Sequence, residues 1–235
     1  MKASRAQAGT QRTAGERSHP WLRAALELLL PRICASCGSE ALHGPLCARC
    51  ELPVAGDLGL PPRPLSAWCA ATLHEGAGAD WVRRFKYPAR GLAGLDPAAE
   101  AVAFGLLRRL ARRVPGAAPD LVVPVPLHAR RLRERGFSPA SLLARALARE
   151  AGVRCAPVLL ARLRDTPSQT GLSRAARRRN VAGAFEAKAP SPPRVWLVDD
   201  VVTTGSTLLH AARALRRAGA REITGVCLAQ RPLVG

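Results

Sequence analysis

One run in this chain has residue types and an order that can do chemistry: Val198-Asp199-Asp200-Val201-Val202-Thr203-Thr204-Gly205-Ser206-Thr207. An apolar stretch, residues 194–198, reads as a strand that ends in two adjacent carboxylates. Small hydroxyl residues around Gly205 follow, and residues 207–218 continue as a helix with Leu208, Leu209, Ala212 and Leu215 aligned. Such a turn puts backbone N–H groups at a helix N-terminus beside the hydroxyls of Thr203, Thr204, Ser206 and Thr207, which makes a seat for a phosphate dianion. Asp199 and Asp200 would repel that phosphate, so they are expected to reach sugar hydroxyls, or Mg²⁺ through its waters. An Asp pair capping an ordinary helix explains one or two of these residues, not the run.

Two further segments offer cations. Val123-Pro124-Val125-Pro126-Leu127-His128 leads into Arg130, Arg131, Arg133 and Arg135, and arginine grips phosphate oxygens in pairs. Taken alone, the same residues also fit the solvated start of a basic helix. Residues 165–184 have four arginines, Arg177 among them, and little apolar pattern, so they are expected to form a mobile surface loop. Both a lid that closes over a leaving group and a plain solvated loop fit that segment.

Cys34-x2-Cys37 and Cys47-x2-Cys50 are two CxxC pairs nine residues apart. Four thiolates so spaced close a tetrahedral shell around Zn²⁺ and leave no open position, which predicts a structural rather than a catalytic ion. His43 lies between the pairs and is expected to be an exposed loop residue. With seven cysteines in all, a complete disulfide framework is not possible; Cys69, Cys155 and Cys227 sit in apolar surroundings and read as small core residues.

The elements that must position these residues follow from periodicity. Strands are expected at 66–74, 121–125, 158–160, 194–198 and 223–228, and helices at 98–114, 138–151 and 207–218, with a short helical turn at 81–86 stopped by Pro88. Strands alternating with helices predict an α/β fold with a mostly parallel, doubly wound sheet. Residues 1–20 read as a disordered basic tail, 21–56 as a short amphipathic helix followed by the cysteine knuckle, and 66–232 as the α/β domain; residues 53–64, rich in Gly and Pro, read as a linker or an extended crossing.

Composition bounds the rest. The 235 residues are 48% hydrophobic but only 4% aromatic, so Ala, Leu and Val must fill the core. The formal net charge of +19 asks for anionic partners. The apolar stretch 21–30 is far short of the roughly 20 residues that span a bilayer, and no secretory h-region follows the first charges, so the expected compartment is the cytoplasm.

The run 198–207 resembles the phosphoribosyl pyrophosphate motif of type I phosphoribosyltransferases. By that resemblance Asp199 and Asp200 hold the ribose hydroxyls as the catalytic pair, and Thr203, Thr204, Gly205, Ser206 and Thr207 hold the 5′-phosphate. Arg130, Arg131 and Arg177 are the candidates for the pyrophosphate, and Mg²⁺ accompanies the ligand. The order of motifs is similar to that of the ComF family, associated with natural competence. It runs from the CxxC pairs to Arg84-Phe85-Lys86-Tyr87, Val-Pro-Val-Pro-Leu-His, Arg-x-x-Asn-Val-x-Gly-Ala-Phe, and Asp-Asp-Val-Val-Thr-Thr-Gly-Ser-Thr. The resemblance spans residues 30–228. It implies a phosphoribosyltransferase-like protein with an N-terminal zinc ribbon, and single-stranded DNA and competence proteins as partners. Gln230-Arg231 departs from the expected Ala-Arg after the last strand, which puts a role for Arg231 in doubt.

Overall fold

The computed structural model describes residues 33–41, 45–53, 55–87, 96–164 and 183–231. The expected tail, the helix at 21–30, His43, Pro88 and Arg177 lie outside them, as does most of the expected loop at 165–184.

The strands are β1 (Gly56–Asp57), β2 (Ala67–Leu73), β3 (Leu121–Pro124), β4 (Arg154–Cys155), β5 (Leu160–Arg162), β6 (Phe185–Ala187), β7 (Arg194–Val202) and β8 (Glu222–Gln230). The helices are α1 (Gly76–Lys86), α2 (Pro97–Ala111), α3 (Ala129–Arg135), α4 (Pro139–Ala151) and α5 (Ser206–Arg217). Six strands form one sheet in the order β1-β2-β8-β7-β3-β4, all pairs parallel except β1 with β2. The antiparallel pair β5–β6 stands apart.

Helices cover both faces. On one, Val82 and Phe85 of α1, Val102, Leu106 and Leu110 of α2, and Leu143 and Leu147 of α4 pack on Cys69, Val122, Trp196, Val198 and Val226. On the other, Leu208, Ala212 and Leu215 of α5, with Leu160 and Phe185, pack on Ala70, Val123, Leu197 and Cys227. Central parallel strands buried on both sides are near-continuous apolar runs, as β3 and β8 are. Of the three isolated cysteines, Cys69 and Cys227 are fully buried and Cys155 is partly exposed.

The strand expected at 158–160 is β5, at Leu160–Arg162, and β4 and β6 have no expected counterpart; three further differences bear on the site. Of the two forms open to residues 53–64, the structure has the extended crossing rather than a bare linker: β1 pairs with β2, and Leu58 N–H donates to the Trp68 carbonyl at 3.2 Å. The turn expected at 81–86 is the second half of an eleven-residue helix, α1. Its first turn hid because Gly76, Ala77, Gly78 and Ala79 carry no apolar stripe, although Gly78 is buried. A Cβ on Gly78 would lie 2.2 Å from the Leu73 carbonyl oxygen, so the absence of a side chain lets α1 lie directly on the end of β2. Finally, β7 does not stop at Val198 but runs through both aspartates to Val202.

Capping fixes the other helices. Asp96 accepts from Ala98 and Ala99 N–H at 3.0 and 3.1 Å, with Pro97 in the first position of α2. Ser138 accepts from Ser141 N–H at 3.2 Å at the start of α4, and Gly152, in the left-handed region, ends it.

Candidate functional site

A cavity of about 580 Å³ opens at the carboxyl ends of the central strands, the usual ligand position in an open α/β sheet. Asp199, Asp200, Thr203 and Thr207 line it from β7 and the start of α5, Arg131 and Arg135 from α3, and Lys86 and Tyr87 from the end of α1. His74 follows β2, Arg162 ends β5 and Arg231 follows β8; all three line it too.

The alternation of β7 is broken where the acids lie. Val198 and Val201, three residues apart, pack in the same layer, while Val202 packs in the opposite one. Asp200 N–H donates to Asp199 Oδ1 at 2.9 Å, and Val201 N–H to Asp200 Oδ1 at 2.6 Å. Local carboxylate acceptors thus serve backbone donors where the pleat is irregular. Sequence periodicity cannot show this, because Asp-Asp-Val-Val reads equally as the end of a strand.

Lys86 Nζ sits 2.9 Å from Asp200 Oδ1, both side chains mostly buried. Asp199 accepts from the neighbouring Asp200 amide; burial, and then the adjacent Asp200 charge, push its carboxyl up to about 7. Burial, and then the Lys86 ammonium, hold His74 below its ordinary value, which favours the neutral imidazole.

The five small residues divide into two groups. Thr203 and Thr207 face the cavity. The hydroxyls of Thr204 and Ser206 bond each other at 2.8 Å. Gly205 has φ +71°, and a Cβ there would meet Trp68 Cζ3 at 2.7 Å, so this turn is closed from behind by β2. The two arginines expected from α3 also separate. Arg131 lines the cavity, whereas Arg130 makes a 3.1 Å ion pair with Glu134 on the exposed side.

Several lining residues were not singled out from sequence as site residues: His74, Arg83, Lys86, Tyr87 and Arg162. Lys86 and Tyr87 had a signal, since they belong to the Arg-Phe-Lys-Tyr motif. Arg135 donates to Tyr87 Oη at 2.9 Å and lies 4.7 Å from its ring centroid, so α3 and α1 meet across the cavity mouth. Arg231, doubted from sequence, is placed by its N–H on the Val202 carbonyl at 2.9 Å.

The four cysteines of the knuckle converge. Their sulfurs all lie within 4.8 Å of one another, with Cys37 and Cys47 Sγ 3.6 Å apart. Zinc–thiolate bonds of about 2.3 Å in a tetrahedron put sulfurs about 3.8 Å apart, so this donor set fits Zn²⁺. Two tight turns build it: Gly38 N–H donates to Cys34 O at 2.9 Å and Cys50 N–H to Cys47 O at 3.0 Å. A backbone N–H of Cys47 draws the Cys34 thiol down to about 6, while the Cys37 sulfur pushes Cys50 up to about 12. The backbone favours the Cys34 thiolate while the Cys37 sulfur opposes that of Cys50, a conflict that a divalent cation removes. Ala35 and Leu46 of the knuckle pack against the main core, as does Leu52 just beyond it.

Among the described residues no helix is long and apolar enough to cross a membrane. Residues 132–233 match the family described as "Phosphoribosyl transferase domain". The chain is 35% identical over 201 residues to DNA utilization protein YhgH of Salmonella typhimurium, covering 83% of each chain. It is 40% identical over 109 residues to competence protein F of Haemophilus influenzae, covering 45% of this chain and 48% of that one. A solved structure, that of the allosteric regulatory enzyme of purine biosynthesis, matches 62% of this chain and 30% of its own at 22% identity; its TM-score of 0.41 is too loose to bear on the assignment. The long match to the YhgH proteins, the phosphoribosyl transferase domain and the cysteine cluster agree: the chain belongs to the ComF family, a phosphoribosyltransferase-type α/β fold with an N-terminal four-cysteine ribbon.

Proposed function

We propose that the cavity binds phosphoribosyl pyrophosphate with Mg²⁺ and that the protein is a phosphoribosyltransferase of the cytoplasm. The observation that carries this reading is the meeting of Asp199, Asp200, Thr203 and Thr207 in one cavity rimmed by cations. Asp199 and Asp200 would hold the ribose hydroxyls. The 203–207 turn would hold the 5′-phosphate, with Thr203 and Thr207 offering hydroxyls and Thr204, Gly205 and Ser206 shaping the loop. Arg131 would take the pyrophosphate, with Arg177 as a further candidate outside the described residues. Mg²⁺, when bound, supplies charge neutralisation on the leaving group. Because Lys86 already occupies one oxygen of Asp200, the acids fit an ion reached through its waters better than one bound directly.

Transfer would form a bond from an acceptor nucleophile to C1 of the ribose and break the bond from C1 to the pyrophosphate oxygen, the pair of electrons leaving with pyrophosphate. The residues contribute position and electrostatics. Isothermal calorimetry with phosphoribosyl pyrophosphate, with and without Mg²⁺, tests the binding. Saturable Mg²⁺-dependent heat that vanishes in the double variant Asp199→Ala, Asp200→Ala is expected, and equal binding by the double variant would overturn the reading. Pyrophosphate release across a panel of nucleobases and oligonucleotides tests transfer.

The names of the relatives, DNA utilization and competence, extend the proposal to a role in handling incoming single-stranded DNA, with competence proteins as partners. A second reading keeps the ligand cavity without transfer and makes the protein a nucleic-acid-binding adaptor. The net charge of +19, the exposed Arg108 and Arg109 of α2, and the exposed Arg112 and Arg113 just beyond it favour it. Single-strand affinity should then fall with salt, with a log–log slope of about −0.7 per phosphate contacted. Affinity indifferent to salt removes this reading.

A further inference from the structure

Of the 36 lysines and arginines, only Lys2, Lys86 and Lys188 are lysines. Lys2 lies outside the described residues, and Lys188 is an exposed partner of Glu186. Lys86 is different. Its side chain is 19% exposed, and its Nζ is 2.9 Å from Asp200, which is 16% exposed. In a chain that uses arginine almost everywhere, a lysine here matches a place for a compact charge with rotatable donors; a planar guanidinium fork is larger and fixed in direction.

The placement is rigid. Lys86 closes α1, whose Val82 and Phe85 are 1% exposed and whose Gly78 abuts the Leu73 carbonyl. The ammonium is therefore delivered to β7 by a packed helix rather than by a loop. The charged and titratable groups that meet around it come from several elements. Asp199 and Asp200 belong to β7, His74 follows β2, and Arg162 ends β5; Arg231 follows β8, and Asp80 and Arg83 lie on α1 itself. Cys227 of β8 is the register partner of Asp199.

We propose that Lys86 is a positioning residue that keeps Asp200 aimed in the free protein, and that hands its ammonium to an anionic oxygen of the bound sugar diphosphate when the ribose hydroxyls take over the carboxylate. The exchange avoids two costs. The free site does not hold two bare adjacent carboxylates, and the loaded site does not leave a buried ammonium unpaired. The inference rests on the phosphoribosyl pyrophosphate reading of the same cavity.

Calorimetry of phosphoribosyl pyrophosphate with Mg²⁺ on the full chain, from about pH 6 to about pH 9, separates the two ideas because Asp199, raised by burial to about 7 and opposed in that by the Lys86 ammonium, titrates within that range. Lys86→Met should bind at least about tenfold more weakly at neutral pH, and its affinity should reach its plateau about one pH unit later than in the parent protein. Lys86→Arg restores the charge, so it should recover the parent midpoint while keeping part of the affinity loss. A Lys86→Met protein with the parent affinity and midpoint overturns the proposal, as does a loss of affinity with no shift in midpoint. Undiminished binding by the double aspartate variant would instead sink the ligand reading beneath it. Should Lys86→Met fail to fold, amine acylation of the parent protein read by mass spectrometry takes its place: the ligand should protect Lys86 and leave Lys188 unchanged. Unchanged labelling of Lys86 then overturns the proposal.

Discussion

The cysteine knuckle and the end of β7 both gather groups of like charge, and they do so by opposite routes. The knuckle draws all its donors from residues 34–50, and two short turns bring the four sulfurs together. The end of β7 supplies two acids and two hydroxyl residues, but the cations around them come from α1, α3, β5 and the residue after β8. The first site is closed by its own segment and needs only an ion. The second is closed by tertiary packing, so its charges balance only when the sheet is assembled. A local site is thereby specified by spacing, whereas a distributed site depends on where each helix lands.

Breaking the local site should have the largest effect. Cys34→Ser should abolish stoichiometric zinc and lower the thermal unfolding midpoint by at least about 10 °C, because binding of a structural ion is folding free energy. Leu52, Ala35 and Leu46 share the main core, so the loss should spread beyond the knuckle. Metal content and a calorimetric melt check this, and an unchanged melt after zinc loss would show the ribbon to be a passenger.

The distributed site should fail through backbone packing first. Gly78→Ala puts a methyl group 2.2 Å from the rigid Leu73 carbonyl oxygen. It should cost about 3 kcal/mol, at the upper end of overpacking effects, in a denaturant titration. It should also weaken ligand binding, because α1 carries Lys86.

That contrast states what was legible in the sequence. The CxxC spacing led straight to the sulfur cluster, and Asp-Asp-Val-Val-Thr-Thr-Gly-Ser-Thr located the β7–α5 corner of the cavity. The parallel doubly wound sheet followed from alternating apolar runs. Gly-Ala-Gly-Ala at the start of α1 carried no periodic signal, since close approach to β2, rather than an apolar stripe, fixes that turn. The extension of β7 to Val202 was hidden because irregular pleating turns the acids into the cavity while Val201 and Val202 return to the core. His74 and Arg162 were invisible as site residues, because even a strand end read correctly, as at residue 74, does not tell which other ends it meets in space.

Charge offers a finer test of the distributed site. Burial, and then Asp200, raise Asp199 to about 7, far above an unfolded Asp near about 3.9. Well below about pH 4 both states are protonated and the group is neutral in the balance; between about pH 4 and about pH 7 the unfolded chain is ionised while the folded one holds its proton, so stability is lost across that window and the loss is complete above it. Asp199→Asn removes that loss. It should stabilise the protein by about 1–3 kcal/mol at pH near about 8, with the gain shrinking towards pH about 4. Denaturant titrations at several pH values measure it. The same variant should bind phosphoribosyl pyrophosphate poorly, so stability and binding should move in opposite directions.

The smallest effect compares two neighbours on α3. Arg130 and Arg131 look interchangeable in Arg-Arg-Leu-Arg-Glu-Arg, and both were candidates for the pyrophosphate. Adjacent helical positions point about 100° apart, so only one can face the cavity. That one is Arg131; Arg130 is 3.1 Å from Glu134, an exposed pair at i, i+4. Such pairs contribute about 0.3–0.5 kcal/mol, so Arg130→Ala should leave ligand affinity within about twofold and barely move the melt. Arg131→Ala should weaken phosphoribosyl pyrophosphate binding about five- to tenfold, the loss of one charge-assisted contact. The unequal response is the diagnostic. Equal losses from both would mean that α3 turns on binding, and that the cavity mouth, held by Arg135 on Tyr87, is a moving part rather than a fixed wall.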